Sequence, residues 1–223
     1  MSGRLAPSIL SADPTRLLEA VRLVEGLGAG LIHIDIMDGH YVPNLTFGPE
    51  LVRALKKHTP LPLDVHLMVD EPGRIIPLFL AAGADWLSFH PEASTHVHRD
   101  LYQIKEAGRK AGLVLNPATP PDVLSEVLPD LDFILIMCVN PGWGSQAFIP
   151  ACRDKIRRLK KRIDEAGLNI PLCVDGGVKA DNIAGLVADG AEVLVAGSAI
   201  FSDPDPAGAF NRLARLAGDE RQG

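Results

Sequence analysis

The chain has 223 residues, 47% hydrophobic and 22% charged, a composition typical of a soluble globular protein with a sizeable core. Its formal net charge of -6 gives no general attraction for nucleic acid or an anionic membrane, so an anionic ligand must be held by local groups. The longest apolar run, residues 133–139, is too short to span a bilayer, and the first ten residues contain no segment resembling a signal peptide. Three cysteines without a close C-x-x-C pair predict reduced thiols and a cytoplasmic protein.

Short strand-like runs alternate with longer helical patterns along the whole chain. The predicted strands are residues 5–10, 30–37, 63–68, 86–90, 113–116, 133–139, 170–175 and 193–196. Between them, apolar residues recur at three- and four-residue spacing beside a charged face, most clearly in residues 14–27, 98–112 and 150–167. Four glycines are predicted to end helices: Gly83, Gly112, Gly167 and Gly190.

This alternation predicts an α/β fold, and the count favours a (β/α)8 TIM barrel. Eight βα units in 223 residues leave about 28 residues per unit, a compact size for such a barrel. No linker or low-complexity segment divides the chain, so residues 1–223 are predicted to form a single domain. A doubly wound open sheet is the alternative, but no glycine fingerprint follows the first strand. In a barrel, the chemistry is expected at the C-terminal ends of the strands.

Nearly every predicted strand ends in a polar residue or a glycine. In the second strand, His33 and Asp35 alternate with three isoleucines, so the isoleucines are expected to face the helices and the two polar residues the barrel interior. The strand-end residues, which we expect to converge on one site, are Ser8, His33, Asp35, His66, His90, Asn116, Asn140 with Pro141, Asp175, and Gly197 with Ser198. The same spacing groups Asp64 with His66 and Cys173 with Asp175.

Four inward-facing residues, His33, Asp35, His66 and Asp175, form a candidate metal site. Buried carboxylates are costly unless they are paired or bind a cation. Two imidazoles and two carboxylates are a suitable set for one divalent ion such as Zn, Fe, Mn or Co. The alternative is a His–Asp ion-pair network without metal.

Three methionines, Met37, Met68 and Met137, also fall on inward-facing positions. They either line a pocket and shield a reaction intermediate from water, or they simply fill the core.

Glycine-rich turns follow the last three strands, at residues 140–146, 175–178 and 196–201. Loops at these places in a barrel often bind phosphate, because free backbone N–H groups and a helix dipole favour an anion. The sequence therefore predicts a phosphorylated ligand on an otherwise acidic protein.

Six motifs, APSILSAD, HIDIMDGHYVPNLTFGP, DVHLMV, NPGWGSQAF, VDGGV and AGSAIF, resemble the ribulose-phosphate 3-epimerase family in order and over all but about the last ten residues. The resemblance implies a cytoplasmic isomerase of the pentose phosphate pathway. Such an enzyme interconverts D-ribulose 5-phosphate and D-xylulose 5-phosphate through a 2,3-enediolate, with one divalent metal ion per subunit. It also implies a homo-oligomer, either a dimer or a hexamer.

The resemblance assigns a role to each motif residue. It implies that His33, Asp35, His66 and Asp175 bind the metal and that Asp35 and Asp175 are also the two acid/base groups. The implied substrate-binding residues are Ser8, His66, Gly142, Trp143, Gly144, Ser145, Asp175, Gly176, Gly177, Gly197 and Ser198. The chain departs from the family pattern at Trp143, usually phenylalanine, and at Ser145, usually glycine. A serine at position 145 is strained if the backbone there needs a positive φ.

Three alternatives remain open. A 3-epimerase for another ketose phosphate, such as D-allulose 6-phosphate, would use the same metal and acid/base residues. A barrel lyase or decarboxylase would need a lysine at a strand end, where none is found. A non-catalytic sugar-phosphate-binding barrel would not need two opposed carboxylates.

Three further histidines and one aspartate have weaker assignments. His90 is a candidate pocket-lining residue because it ends the fourth strand. His96 and His98 are expected at a helix entry or an interface, and Asp38 is expected to support the Asp-Gly turn.

Overall fold

Eight parallel strands form a single sheet in the computed structural model, which describes residues 3–219. The strands are β1 (Arg4–Pro7), β2 (Ile32–Met37), β3 (Leu63–Met68), β4 (Trp86–Phe89), β5 (Lys110–Leu115), β6 (Phe133–Met137), β7 (Leu172–Asp175) and β8 (Val193–Ala196). From β2 to β8 each strand pairs with its sequence neighbours, and β1 pairs with β8. A parallel bridge between Ser8 and His33 joins the end of β1 to β2. The predicted (β/α)8 barrel is therefore confirmed.

Eight α-helices of the described residues pack outside the sheet. They are α1 (Leu17–Gly26), α2 (Pro49–Lys56), α3 (Pro72–Ala82), α4 (Val97–Glu106), α5 (Cys152–Glu165), α6 (Ile183–Ala188), α7 (Ser198–Phe201) and α8 (Pro206–Ala217). The connection from β5 to β6 has only two short 3-10 turns, Pro121–Leu124 and Leu128–Asp130. Prolines at positions 117, 120, 121 and 129 interrupt this connection, and each lacks the N–H that a helix would use. No helix within residues 3–219 is both long and apolar enough to cross a bilayer.

The core has two main parts, one on each side of the sheet. The outward-facing Ile32, Ile34 and Ile36 belong to the larger part, which lies between the strands and the helices. The smaller part fills the barrel interior and includes Trp86 and Phe133, whose ring centroids are 4.9 Å apart. The filled interior supports a rigid site at the C-terminal end of the strands.

The fifth strand is where the sequence prediction was wrong. Residues 98–112 were predicted as one helical segment ending at Gly112, but α4 ends at Glu106 and Gly112 lies inside β5. The helix is terminated instead at Gly108, which has φ = 70°. A Cβ on Gly112 would lie 2.5 Å from the ring of Phe133, so this glycine makes room for a core aromatic.

The other predicted boundaries differ by a few residues at most. β3 and β8 have the predicted bounds, while β1 and β6 end earlier and β2 and β7 begin later. Gly83, Gly167 and Gly190 follow α3, α5 and α6 with positive φ, as predicted. All three cysteines are free and buried.

Candidate active site

A cavity opens at the C-terminal end of the barrel, bounded by the ends of the strands and the loops that follow them. Its floor includes Ser8 and Asp35 on one side and Asp175 on the other. Other predicted site residues that line it are Met37, Met68, Met137, Gly142, Trp143, Gly144, Ser145, Gly176, Gly177, Gly197 and Ser198. His33 and His66 are fully buried beneath this cavity.

The register of β2 and β3 brings the predicted ligands together in pairs. His33 lies opposite Asp64, and Asp35 lies opposite His66. Nδ1 of His33 is 2.7 Å from Oδ2 of Asp64, so its other nitrogen, Nε2, is directed towards the carboxylates of the site. Nε2 lies 3.2 Å from Oδ1 of Asp35 and 3.9 Å from Oδ2 of Asp175. Alternation along the strands thus places both histidines against Asp35.

The four candidate ligands, His33, Asp35, His66 and Asp175, each offer an atom within 4.8 Å of the atoms offered by the others. Two imidazole nitrogens and two carboxylates, three of them buried and that of Asp175 partly exposed to the cavity, are a donor set that suits one divalent transition metal. The cluster could therefore hold a metal ion. The ion-pair alternative is also visible in the metal-free arrangement, where both histidines hydrogen-bond to Asp35.

The environments of Asp35 and Asp175 move their pKa values in opposite directions. Burial opposes ionisation of Asp35, but His33 and His66 outweigh it and hold the pKa of Asp35 well below its usual value. Burial, together with the charge of Asp35, raises the pKa of Asp175 to about 7. Burial also disfavours a charged His33, yet Asp35 and Asp64 raise the pKa of His33 well above its usual value. The metal-free site thus contains one ionised and one readily protonated carboxyl, which is the state expected of an acid/base pair.

Asp35 is held in place by two hydroxyl groups. The Oγ of Ser8 donates a hydrogen bond to Oδ2 of Asp35 at 2.7 Å. The Oγ1 of Thr46 donates to the carbonyl of Asp35 at 2.6 Å and accepts from the N–H of Met37 at 3.0 Å. These bonds fix both the side chain and the backbone of Asp35.

The loop after β6 has the backbone strain expected at Ser145. Ser145 has φ = 60°, in the left-handed region that a β-carbon disfavours. The side chain of Gln146 stabilises the loop, because its Nε2 donates to the carbonyls of Asn140 and Trp143 at 2.6 and 2.9 Å. Asn44 also donates to the carbonyl of Gly142 at 2.9 Å, which ties this loop to the one after β2. The indole of Trp143 remains 56% exposed at the cavity mouth.

The turn after β7 requires its second glycine. Gly177 has φ = 67°, and a Cβ there would lie 2.5 Å from the backbone nitrogen of Phe148. A close approach between two backbones therefore shapes this side of the cavity.

Ser11 and Gln146 line the cavity but were missed by the sequence analysis. The Oγ of Ser11 occupies the space that side chains on Gly144 and Gly197 would take, at 3.3 and 2.8 Å from their Cβ positions. Ser11 lies in a 3-10 turn after β1, where strand alternation gives no signal. Asp64 could have been selected from the sequence as a site residue, since it shares a face of β3 with His66.

The methionines lie at the upper edge of the barrel interior. Met37 and Met68 are opposite each other in the sheet register and pack with Val42, while Met137 lies opposite Asp175. All three line the cavity, so they are positioned to cover a bound ligand.

Three predicted strand-end residues, His90, Asn116 and Asn140, do not line the cavity. His90 is fully buried and its Nε2 is 3.0 Å from Nε2 of His66, so its proposed place on the pocket wall was wrong. Burial lowers the pKa of both imidazoles, and that of His90 falls well below its usual value. The Nδ2 of Asn116 donates to the hydroxyl of Tyr41 and to Oε1 of Glu92, each at 2.7 Å.

The remaining assignments agree with their predictions. The carboxylate of Asp38 accepts from the backbone N–H groups of His40, Tyr41 and Asp70, and so supports the turn. His96 immediately precedes α4, and His98 lies in its first turn, stacked on Tyr102.

Comparison with known proteins gives a consistent result over most of the chain. The model of the ribulose-phosphate 3 epimerase family matches residues 4–201. The ribulose-phosphate 3-epimerase of Escherichia coli is 55% identical over 202 residues, which cover 90% of each protein. The ribulose-phosphate 3-epimerase of Bacillus subtilis is 50% identical over 211 residues, which cover 94% of this chain and 97% of the relative.

Among solved structures, KGPDC from Streptococcus mutans has a TM-score of 0.71 at 18% identity, covering 98% of this chain and 99% of that one. A likeness at this level of identity concerns the fold alone, and it agrees with the barrel described above.

Proposed function

The chain belongs to the ribulose-phosphate 3-epimerase family, and from this premise we propose that it interconverts D-ribulose 5-phosphate and D-xylulose 5-phosphate by two-base proton transfer at C3. As a member of this family it is an isomerase. The observation that best supports the mechanism is the pairing of Asp35 on β2 with Asp175 on β7, two carboxyls whose pKa values are driven apart.

Inversion at C3 sets the chemical requirement. A carbon-bound proton next to the C2 ketone must leave, and another must return on the opposite face of the planar 2,3-enediolate. Two groups are needed, one prepared to accept a proton and one prepared to donate it. Asp35, held by Ser8, and Asp175, on β7 across the cavity, are the two carboxyls placed to fill these roles, and without a metal their pKa values already differ in this sense. In the reverse direction the two exchange roles.

A divalent ion held by His33, Asp35, His66 and Asp175 would supply Lewis-acid stabilisation of the negative charge that develops on the substrate oxygens. The chain's own residues orient those ligands. Asp64 fixes the ring of His33, and Ser8 fixes the carboxylate of Asp35. Metal analysis of the purified protein would identify the ion among Zn, Fe, Mn and Co.

The phosphate group of the substrate is assigned to the glycine-rich loops. Residues 142–145, 176–177 and 197–198 line the cavity, α7 begins at Ser198, and the backbone N–H groups of these residues are the proposed donors to the phosphate. Such groups bind an anion without a cationic side chain, which suits a protein with net negative charge. Met37, Met68 and Met137 would exclude water from the enediolate.

The site disfavours two of the alternatives. No lysine lines the cavity among the described residues, whereas a barrel lyase or decarboxylase would need one. A sugar-phosphate-binding protein would gain nothing from two buried carboxylates of opposite protonation. The third alternative, a 3-epimerase that acts on D-allulose 6-phosphate, remains, and this sugar phosphate is therefore the second substrate to be tested.

The direct test compares epimerisation of D-ribulose 5-phosphate and D-allulose 6-phosphate by protein of known metal content. We expect a higher kcat/KM for ribulose 5-phosphate and loss of activity on chelation that is restored by a divalent metal. A preference for allulose 6-phosphate would reassign the substrate, and full activity in metal-free protein would contradict the metal's role.

Two properties of the whole protein complete the proposal. Three buried free thiols suit the reducing cytoplasm, where we place the protein. A homo-oligomer, either a dimer or a hexamer, stays a prediction that light scattering would test.

A further inference from the structure

His66 is placed between two hydrogen-bonding partners. Its Nδ1 lies 3.1 Å from Oδ1 of Asp35, and its Nε2 lies 3.0 Å from Nε2 of His90. A neutral imidazole carries one N–H and one lone pair. At the contact between the two rings, therefore, one Nε2 must donate and the other must accept.

His90 is unusual because no group fixes which of its nitrogens carries the proton. The ring is fully buried between His66 and Tyr41, with ring centroids 5.1 and 4.7 Å away. Within residues 3–219, its Nδ1 has no hydrogen-bond partner. His90 can accordingly act at Nε2 either as a donor or as an acceptor without breaking another hydrogen bond.

His33 provides the contrast within the same site. Its Nδ1 lies 2.7 Å from Oδ2 of Asp64, and because a carboxylate oxygen accepts hydrogen bonds, this contact favours the tautomer with the N–H on Nδ1. The partner of His66 is instead a second imidazole, which has no such preference. The two histidine ligands are therefore controlled by different means.

We propose that His90 is a positioning residue for the metal site, and that His66 and His90 change tautomer together when the metal binds. This inference rests on the proposed metal site. In the metal-free protein, Nδ1–H of His66 donates to Asp35, and Nε2 of His66 accepts from Nε2–H of His90. When the Nδ1 lone pair of His66 becomes a metal ligand, Nε2–H of His66 donates to Nε2 of His90, whose proton then lies on Nδ1.

The exchange is balanced in protons. The pair carries two N–H protons in each arrangement, one on each ring. The proton on Nε2 of His90 passes to Nε2 of His66, the proton on Nδ1 of His66 is released, and one proton is taken up at Nδ1 of His90, so the pair neither gains nor loses a proton overall. The buried pair stays neutral throughout, so the metal gains a free lone pair without a new buried charge.

Substitution of His90 should affect metal affinity through hydrogen bonding rather than through packing. His90→Phe keeps an aromatic ring beside Tyr41 but leaves Nε2–H of His66 without an acceptor. We expect this variant to bind zinc 10–100-fold more weakly, the usual effect of losing a partner of a metal-bound histidine. His90→Gln offers an amide that either donates or accepts, and should retain most of the affinity. His98→Phe, an exposed histidine on α4, is the matched control and should match the wild type.

The decisive measurement is 15N NMR of histidine-labelled protein, first metal-free and then loaded with zinc. The chain has seven histidines, and the signals of His90 are identified by their loss in His90→Gln. We expect zinc to move the protonated nitrogen from Nδ1 to Nε2 in His66 and from Nε2 to Nδ1 in His90. If zinc binds and His90 keeps the same protonated nitrogen, the coupled change is refuted while the metal site stands. If zinc does not bind to the wild type, the proposed metal site fails, and this inference fails with it.

Discussion

The carboxylate of Asp64 is 2.7 Å from Nδ1 of His33, and both side chains are buried below the cavity. Because Asp64 only accepts there, it directs the other nitrogen of His33 towards Asp35 and Asp175. Asp64 does not line the cavity itself, so its contribution must pass through His33.

Replacing Asp64 should therefore weaken metal binding. We expect about a 10–100-fold rise in the zinc dissociation constant for Asp64→Ala, and a smaller rise for Asp64→Asn, whose amide oxygen still accepts from His33. Chelator competition would measure both. Asp122→Ala, at a 90% exposed carboxylate, is the control. Unchanged zinc affinity in Asp64→Ala would show that His33 needs no such partner.

The stabilisation gained from zinc should grow with pH. In the metal-free protein, Asp175 keeps its proton up to about pH 7 while the unfolded chain loses it near pH 4, so stability falls as pH rises through this interval. The raised pKa of His33 acts in the same direction, because the folded protein keeps this proton above pH 6.5, where the unfolded chain loses it. The stability of the metal-free protein therefore continues to fall above pH 6.5. Zinc competes with these protons and so binds more tightly at higher pH.

Thermal unfolding with and without zinc checks this dependence. We expect a larger rise in Tm at about pH 8 than at about pH 5.5, and a weaker pH dependence in Asp175→Asn, which removes the carboxyl with the raised pKa. An equal rise in Tm at both pH values would contradict the proposed competition.

Ser145 allows the backbone strain to be separated from the phosphate role of the loop. Ser145→Gly removes the β-carbon at φ = 60° and should raise the free energy of unfolding by about 1 kcal/mol. Ser145→Ala keeps the strain and removes only the hydroxyl, so it serves as the matched control. If the backbone N–H binds the phosphate, KM should stay within about threefold of the wild type in both variants. A large rise in KM for Ser145→Ala alone would assign the contact to the hydroxyl instead.

The barrel fold and the inward orientation of the site residues follow from local sequence patterns, and for this reason they were predictable. Isoleucines alternating with His33 and Asp35 define two faces of β2, and β3 and β8 have their predicted bounds. The strain at Ser145 was also predictable, since a serine stands where the family pattern has glycine.

What could not be predicted depends on contacts between distant residues. Gly112 has the local appearance of a helix end, and only the ring of Phe133 on the next strand explains its place in β5. His90 likewise reads as a pocket residue until the strands are assembled and its contact with His66 appears.

Gly112→Ala tests this packing. The added methyl group would meet the ring of Phe133, so we expect destabilisation of about 1–3 kcal/mol by urea unfolding. Gly108→Ala, where a Cβ has nothing within 4 Å, should suffer only from its positive φ. Unchanged stability in Gly112→Ala would mean that the Phe133 contact contributes nothing.

The central claim is that Asp35 and Asp175 act on opposite faces of C3. In deuterated water, the wild type should place deuterium at C3 of both epimers, as followed by proton NMR. Asp35→Asn and Asp175→Asn should each lower epimerisation by about 10²–10⁴-fold, with zinc content measured in both. The remaining base should still exchange the C3 proton of one epimer, and of a different epimer in each variant. Near-normal epimerisation in either zinc-loaded variant, or exchange of the same epimer in both, would contradict the two-base account.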